Sequence, residues 1–299
     1  MRRHTIALLL APLLMQAACT GSDAADPALR VGGAFGARPT VDFPDGRPPA
    51  GLRIDELAAG RGAALETDDV AIVEYTAHVW DGGDNRLVDS TFTRGAPAAF
   101  PVGHLPPGLD RALRGRRVGS RVIAAIPPGD SYGAHPPKGV GPGDELFYVV
   151  DILGAHGRGA AVEAAGGSLA GVRVTGAARP RLSVPRTAAP PRFAAKVLSR
   201  GSGRETEAGR LLVVQYEGVI WNGRRVFDST WSSGRPEAFK IGDGSVIRGW
   251  DRALLGVPVG SRVLMIVPPA DGYGTSGHPP SGVRPGDTLV FVVDILAAY

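Results

Sequence analysis

Gly249-Trp250-Asp251-Arg252-Ala253-Leu254 occurs earlier in the chain as Gly108-Leu109-Asp110-Arg111-Ala112-Leu113. Outward from this pair the match continues in order on both sides. Towards the N-terminus, Val73-Glu74-Tyr75 answers Val214-Gln215-Tyr216, and Val88-Asp89-Ser90-Thr91 answers Phe227-Asp228-Ser229-Thr230. Towards the C-terminus, Val118-Gly119-Ser120-Arg121-Val122 answers Val259-Gly260-Ser261-Arg262-Val263, and Ser131-Tyr132-Gly133 answers Gly272-Tyr273-Gly274. The match ends with Val149-Val150-Asp151-Ile152-Leu153 and Val292-Val293-Asp294-Ile295-Leu296. A repeat this long, present only twice, predicts two similar globular domains. A solenoid would need shorter units stacked in larger number.

Each copy reads as strands around one short helix. In the second copy Leu211 to Ile220 is a β-rich run, followed by Asn222-Gly223. Both of those residues tolerate positive φ, so the pair signals a hairpin with Val226-Phe227 on the return strand. Val263 to Val267 and Thr288 to Leu296 are apolar enough to be central, buried strands. Ahead of both, Ile247, Trp250 and Leu254 share one face of a helix expected over Val246 to Leu255. Ser245 is its expected N-cap, and Gly256 its left-handed end. A helix laid across a twisted antiparallel sheet is an α+β domain, and the chain should hold two.

The remainder divides around these copies. Met1 to His4 is a short basic region, and Ile6 to Met15 is apolar but too short to span a bilayer. With Ala17 and Ala18 following, residues 1–19 read as a signal peptide. The one cysteine of the chain, Cys19, stands just after these small residues. That arrangement resembles a bacterial lipobox and implies acylation at Cys19, although Gln16 stands where an apolar residue is usual. The expectation is an exported, membrane-anchored protein, with plain secretion as the alternative. Residues 20–52 and 156–191 are rich in Ala, Gly and Pro and read as a flexible tether and a disordered linker, with a short strand at Leu169, Val172 and Val174 as the alternative within the second. The two copies are then 53–155 and 192–299.

Composition and motifs exclude much. The net charge of +4 comes from mixed signs, with no basic run interleaved with aromatics, so nucleic acid is not expected as a partner. There is no P-loop, Rossmann glycine pattern, His-Glu-x-x-His or nucleophile elbow. The six histidines lack metal-ligand spacing, and Asp81, Asp84 and Asp89 lack the calcium-loop pattern. Neither a metal nor a cofactor is expected.

What remains is aromatic. Val214-Gln215-Tyr216-Glu217-Gly218, Phe227-Asp228-Ser229, Val246-Ile247-Arg248-Gly249-Trp250, Ala270-Asp271-Gly272-Tyr273-Gly274, Gly277-His278-Pro279 and Leu289-Val290-Phe291 stand in one order. In these residues the second copy resembles the FKBP (tacrolimus-binding protein) family of peptidyl-prolyl cis/trans isomerases over nearly its whole length. The resemblance implies a pocket for a prolyl peptide, open also to macrolides such as tacrolimus and rapamycin. Trp250 is its implied floor, with Tyr216, Phe227 and Phe291 as walls and Asp228 beside them. Ile247 would offer its backbone N–H and Tyr273 its hydroxyl, with Val246, His278 and Val283 completing the substrate surface. Glu237 stands where a second pocket aromatic is common, Ser233 where some members carry Arg, and Pro280-Ser281 adds a residue after His278.

The first copy keeps Tyr75, Asp89, Tyr132, His135 and Val140 but has Leu109 for Trp250, Val88 for Phe227 and Tyr148 for Phe291. Arg94 restores the missing arginine. If Pro106 aligns with Ile247, the backbone donor is gone. The implied function is X-Pro isomerisation centred on the second copy. A noncatalytic prolyl-peptide-binding or chaperone module is the second reading.

Overall fold

A computed structural model describes residues 29–83, 85–133 and 136–299. In the first half the elements are β1 (Arg30–Gly32), β2 (Thr40–Asp42), β3 (Arg53–Ala58), β4 (Val70–Trp80), β5 (Arg86–Ser90), α1 (Thr91–Arg94), β6 (Ala98–Pro101), α2 (Pro107–Leu113), β7 (Arg121–Ile126) and β8 (Glu145–His156). The second half holds β9 (Gly167–Leu169), β10 (Val172–Thr175), β11 (Arg181–Ser183), β12 (Ala194–Ser199), β13 (Leu211–Ile220), β14 (Arg225–Ser229), α3 (Thr230–Ser233), β15 (Glu237–Lys240), α4 (Arg248–Leu254), β16 (Arg262–Val267) and β17 (Leu289–Ala298).

The two copies share one topology. Antiparallel sheets run β3-β7-β8-β4-β5 and β12-β16-β17-β13-β14, and the short strands β6 and β15 pair with the starts of β4 and β13. Helices α2 and α4 cross one face of each sheet. Gly108 and Gly249 let them lie close, because a Cβ at either would stand 2.5 Å from Ile126 or 2.7 Å from Val267. Beneath α4 the core contains Leu212, Val214, Tyr216, Trp250, Leu254, Val263, Met265, Phe291 and Val293.

The opposite face of each sheet is also covered, and this corrects the expected tether and linker. From Leu29 onward, residues of the 20–52 segment form a β1–β2 hairpin. Its Leu29, Val31, Val41 and Phe43 pack on Trp80, Ile123, Phe147 and Val149. Within 156–191, strands β9 to β11 form a sheet whose Val172 and Val174, together with Val184, pack on Trp221, Leu264, Ile266, Val290 and Val292. The segments correspond in sequence: Arg30-Val31-Gly32-Gly33-Ala34 with Ala37-Arg38-Pro39, and Arg173-Val174-Thr175-Gly176-Ala177 with Ala178-Arg179-Pro180. The repeat therefore includes a leading hairpin.

Each hairpin has a physical task. Arg262 and Asp294 are fully buried in the second sheet and joined twice, Nε to Oδ1 at 2.6 Å and Nη2 to Oδ2 at 2.7 Å. The remaining guanidinium donors reach the carbonyls of Gly176 and Ala177 at 2.8 and 2.6 Å. Arg121 and Asp151 repeat this in the first sheet, with Gly33, Ala34 and Ala37 supplying the carbonyls. A buried ion pair is tolerated when its remaining donors are satisfied, and the hairpins do that.

The halves meet through equivalent positions. Val70 and Ile72 pack on Leu211 and Val213, ringed by Ala99, Leu153, Ala238, Leu296 and Tyr299. His156 Nε2 lies 2.8 Å from the Tyr299 hydroxyl.

Local expectations changed in detail. Helix α4 starts after Ile247 with no side-chain cap, so Ser245 does not cap it. Gly256 does take the left-handed conformation, with φ +72°. In the β13–β14 turn the positive φ values fall on Gly223 and Arg224, not on Asn222. Each copy also has a second single-turn helix, α1 or α3, closed by Gly95 or Gly234 in the left-handed region. Cys19 and the whole of 1–19, the first part of 20–52, and His135 lie outside the described residues.

Candidate functional site

In the second domain a cavity of about 240 Å³ opens between α4, β13, β14, β15 and the Tyr273 turn. Trp250, brought to it by the first turn of α4, forms the floor and is 5% exposed. Its indole is held edge-on by three rings, with centroids 5.1 Å from Tyr216, 4.9 Å from Phe239 and 5.4 Å from Phe291. Phe227 meets Phe291 edge-on at 5.6 Å and forms the outer wall. Val246 and Ile247 line the rim where the chain enters α4. Among the described residues the Ile247 N–H donates to no protein acceptor, as the first donors of a helix ordinarily do not.

The polar side is built on Tyr216. Its hydroxyl donates to Asp228 Oδ2 at 2.5 Å. Thr230 Oγ1, 2.7 Å from the Tyr216 N–H and 3.2 Å from its carbonyl, ties α3 to β13 at that level. Burial, and after it the bond to Asp228, push the Tyr216 hydroxyl far above its ordinary range, so it remains a donor. Tyr273 is raised in the same way by burial and then by the Asp228 charge. The turn holding Tyr273 is fixed to the helix by Arg252, which bonds Asp271 at 2.7 Å.

Eight of the ten anticipated pocket residues line the cavity: Tyr216, Phe227, Asp228, Val246, Ile247, Trp250, Tyr273 and Phe291. His278 and Val283 do not. Their loop closes on itself, with His278 N–H to Val283 carbonyl at 2.8 Å and His278 Nδ1 2.8 Å from Ser281 Oγ. His278 stacks behind Tyr273 at 4.8 Å, and Val283 is buried in the core. The inserted residue after His278 thus belongs to a turn that supports Tyr273.

Sequence reasoning missed three contributors. Phe239, two residues beyond Glu237 on β15, supplies a further pocket aromatic; strand alternation put it on Trp250's side. Ser245 lines the rim. Gly218 lies mid-strand where a Cβ would stand 2.8 Å from Phe227 and 2.9 Å from Phe291, so its missing side chain admits both walls. A glycine inside a strand otherwise rich in valine was the available signal.

The equivalent place in the first domain is built differently. Pro106 immediately precedes α2 as Ile247 precedes α4, with φ and ψ of −51° and 141° against −59° and 144°. It occupies the same position without an N–H. Leu109 replaces the indole floor, and Ala77 stands where Gly218 makes room. The Tyr148 hydroxyl lies 2.9 Å from that of Tyr132. Arg94 lies over the Tyr75 ring, 5.3 Å from its centroid, and pairs with Asp89.

The model of the FKBP-type peptidyl-prolyl cis-trans isomerase family matches residues 62–153 and 202–296. An FK506-binding protein of Streptomyces anulatus is 36% identical over 119 residues, 40% of this chain and 96% of that protein. Rat peptidyl-prolyl cis-trans isomerase FKBP9 is 31% identical over 236 residues, 78% of this chain but 35% of the longer relative. The match to Arabidopsis thaliana FKBP15-2 takes in 56% of that protein, so the chain spans about half or less of several relatives. Among solved structures, FkpA from Escherichia coli is 27% identical, covering 44% of this chain and 53% of that one, with a TM-score of 0.34. By the two matched regions, which lie over the two sheets and their helices, the chain belongs to the FKBP-type peptidyl-prolyl cis-trans isomerase family.

Proposed function

We propose that this protein accelerates X-Pro isomerisation in exported polypeptides and that the second domain does most of the work. The observation carrying this is the contrast between the two sites. One has an aromatic cavity of about 240 Å³ with an unengaged N–H at its rim. The other has Leu109 and Pro106 at the same positions and two phenols bonded to each other.

The chemistry needs neither nucleophile nor proton donor. The peptide C–N bond resists rotation by about 18–20 kcal/mol because resonance makes it partly double. Uncatalysed X-Pro exchange therefore takes tens of seconds or longer. Rotation breaks that resonance, and the twisted imide has a less charged carbonyl oxygen than the planar one. A proline ring on Trp250, walled by Tyr216, Phe227 and Phe291, leaves water for an apolar surface that favours the less polar twisted form. The Ile247 N–H and the Tyr273 hydroxyl hold the flanking carbonyls, and Asp228 orients Tyr216. Binding that fits the twisted geometry better than either planar isomer lowers the barrier. The same apolar cavity is the proposed seat of tacrolimus or rapamycin.

The test is isomerisation of an X-Pro peptide by the full chain and by two variants, Asp228→Val and Asp89→Val. The reading requires Asp228→Val to lose most turnover and Asp89→Val to keep it. The reverse pattern, or a titration in which tacrolimus binds neither variant nor wild type, refutes it.

The export context rests on the N-terminal sequence alone. Cys19 is the proposed acylation site, which would hold both domains at the outer face of a membrane. Cys19→Ser should release the protein from the membrane fraction; unchanged fractionation and size would overturn the anchor.

A further inference from the structure

The two sites differ in charge in a way their shared fold does not require. In the first, Asp89 is paired with Arg94, which also lies 3.2 Å from the Tyr75 hydroxyl, and the position equivalent to Glu237 is Ala98. In the second, α3 places Ser233 where α1 places Arg94, and β15 begins with Glu237. The Tyr216 hydroxyl then faces two carboxylates, Asp228 at 2.5 Å and Glu237 at 3.3 Å, and has one proton for both. Arg235, in the turn before β15, acts on Glu237 through its charge and lowers its pKa in part, and Arg158 is held 3.3 Å from the Gly234 carbonyl. Among the described residues neither makes an ion pair with Asp228 or Glu237. Burial, and then the neighbouring Asp228 charge, raise Glu237 above the usual carboxylate range. A cation arriving there would relieve that repulsion.

Taking the isomerase reading above as its basis, we infer that Glu237 is a specificity-determining residue that directs the second domain to proline segments bearing a Lys or Arg beside the proline. Ser233 spares the space in which an arginine would neutralise the pair. The first domain, with its Asp89–Arg94 pair closed, has no such preference. The magnitude follows from Coulomb's law. At roughly 6 Å and an effective dielectric of about 40–80, one carboxylate favours a unit cation by about three- to tenfold. Two carboxylates at the rim add incompletely, and salt screens both.

The test uses the full chain and peptides differing only in the residue before proline: Lys, Ala or Glu. At low ionic strength the wild type should turn over the Lys peptide about tenfold or more better than the Glu peptide in kcat/KM, and the ratio should shrink in 0.5 M salt. Glu237→Gln should cut the Lys-to-Ala ratio about three- to tenfold. Ser233→Arg should do the same by supplying the cation from within. A ratio that neither substitution moves overturns the inference. Should the wild type accelerate no peptide, the isomerase reading is what fails. Calorimetry of the same peptides then decides the charge preference, and equal affinity for the Lys and Glu peptides overturns it.

Discussion

Replacing Trp250 with Leu, the residue the first domain carries at this position, isolates the contribution of the pocket floor. The indole is 5% exposed and is gripped edge-on by Tyr216, Phe239 and Phe291 at 5.1, 4.9 and 5.4 Å. Each such ring pair is worth about 0.5–1.5 kcal/mol beyond buried area. Truncating a buried Trp to Ala costs about 3–5 kcal/mol, so the larger Leu should cost roughly 2–3. The catalytic loss is separate. A proline ring lying on the indole face covers roughly 50–80 Å² of apolar surface, worth about 1.3–2 kcal/mol at about 25 cal/mol/Å². That predicts a fall in kcat/KM of about ten- to thirtyfold. Isomerisation of a Leu-Pro peptide by the full-length variant is the assay, with near-ultraviolet circular dichroism confirming that the second domain stays folded. A folded Trp250→Leu protein keeping more than half of the wild-type kcat/KM would refute the reasoning. The reciprocal change, Leu109→Trp, should add little, because Pro106 still lacks the N–H.

Further outcomes follow from the same geometry. Gly218→Ala places a Cβ 2.8–2.9 Å from Phe227 and Phe291 and should narrow the cavity; activity and macrolide binding should fall together, and unchanged binding would contradict the wall assignment. Arg262→Met leaves Asp294 buried without its partner and should destabilise the second domain by about 3–5 kcal/mol. Urea unfolding measures this, limited proteolysis should then cut within 167–185, and a cost below about 1 kcal/mol would show that the hairpin does not depend on the pair. Glu237 has a folded pKa raised by burial and by Asp228, so it binds its proton more tightly folded than unfolded. Its cost to stability is absent below the unfolded carboxylate pKa, near 4.3, and grows as pH rises through the folded value. Glu237→Gln should therefore raise the melting temperature at pH 7 and leave it unchanged near pH 3.5. An equal effect at both pH values would exclude the charge as its cause.

Much was legible in the residues themselves. Two copies of one motif order, a strand run ending at Ile220, and a helix face of Ile247, Trp250 and Leu254 are local or periodic signals. Backbone sterics and side-chain spacing suffice to read them. The resemblance to the family also located eight cavity residues, because each sits at a fixed offset within its own strand, turn or helix. The tertiary structure decided what depends on distant segments meeting. Residues 156–191 look like linker because β10 and β11 are short, polar on one side and broken by Gly and Pro. They order where Val172, Val174 and Val184 cover the sheet's second face and the Gly176-Ala177 turn supplies carbonyls to Arg262, paired with Asp294 inside it. A hint lay in Arg262 to Val267, which is buried throughout instead of alternating, so the sheet had to be covered on both faces. The charge of the site was likewise invisible from composition. Ser233 and Glu237 lie on different elements, and the fold brings Glu237 beside Asp228 at the Tyr216 hydroxyl while Ser233 supplies no arginine to pair with them.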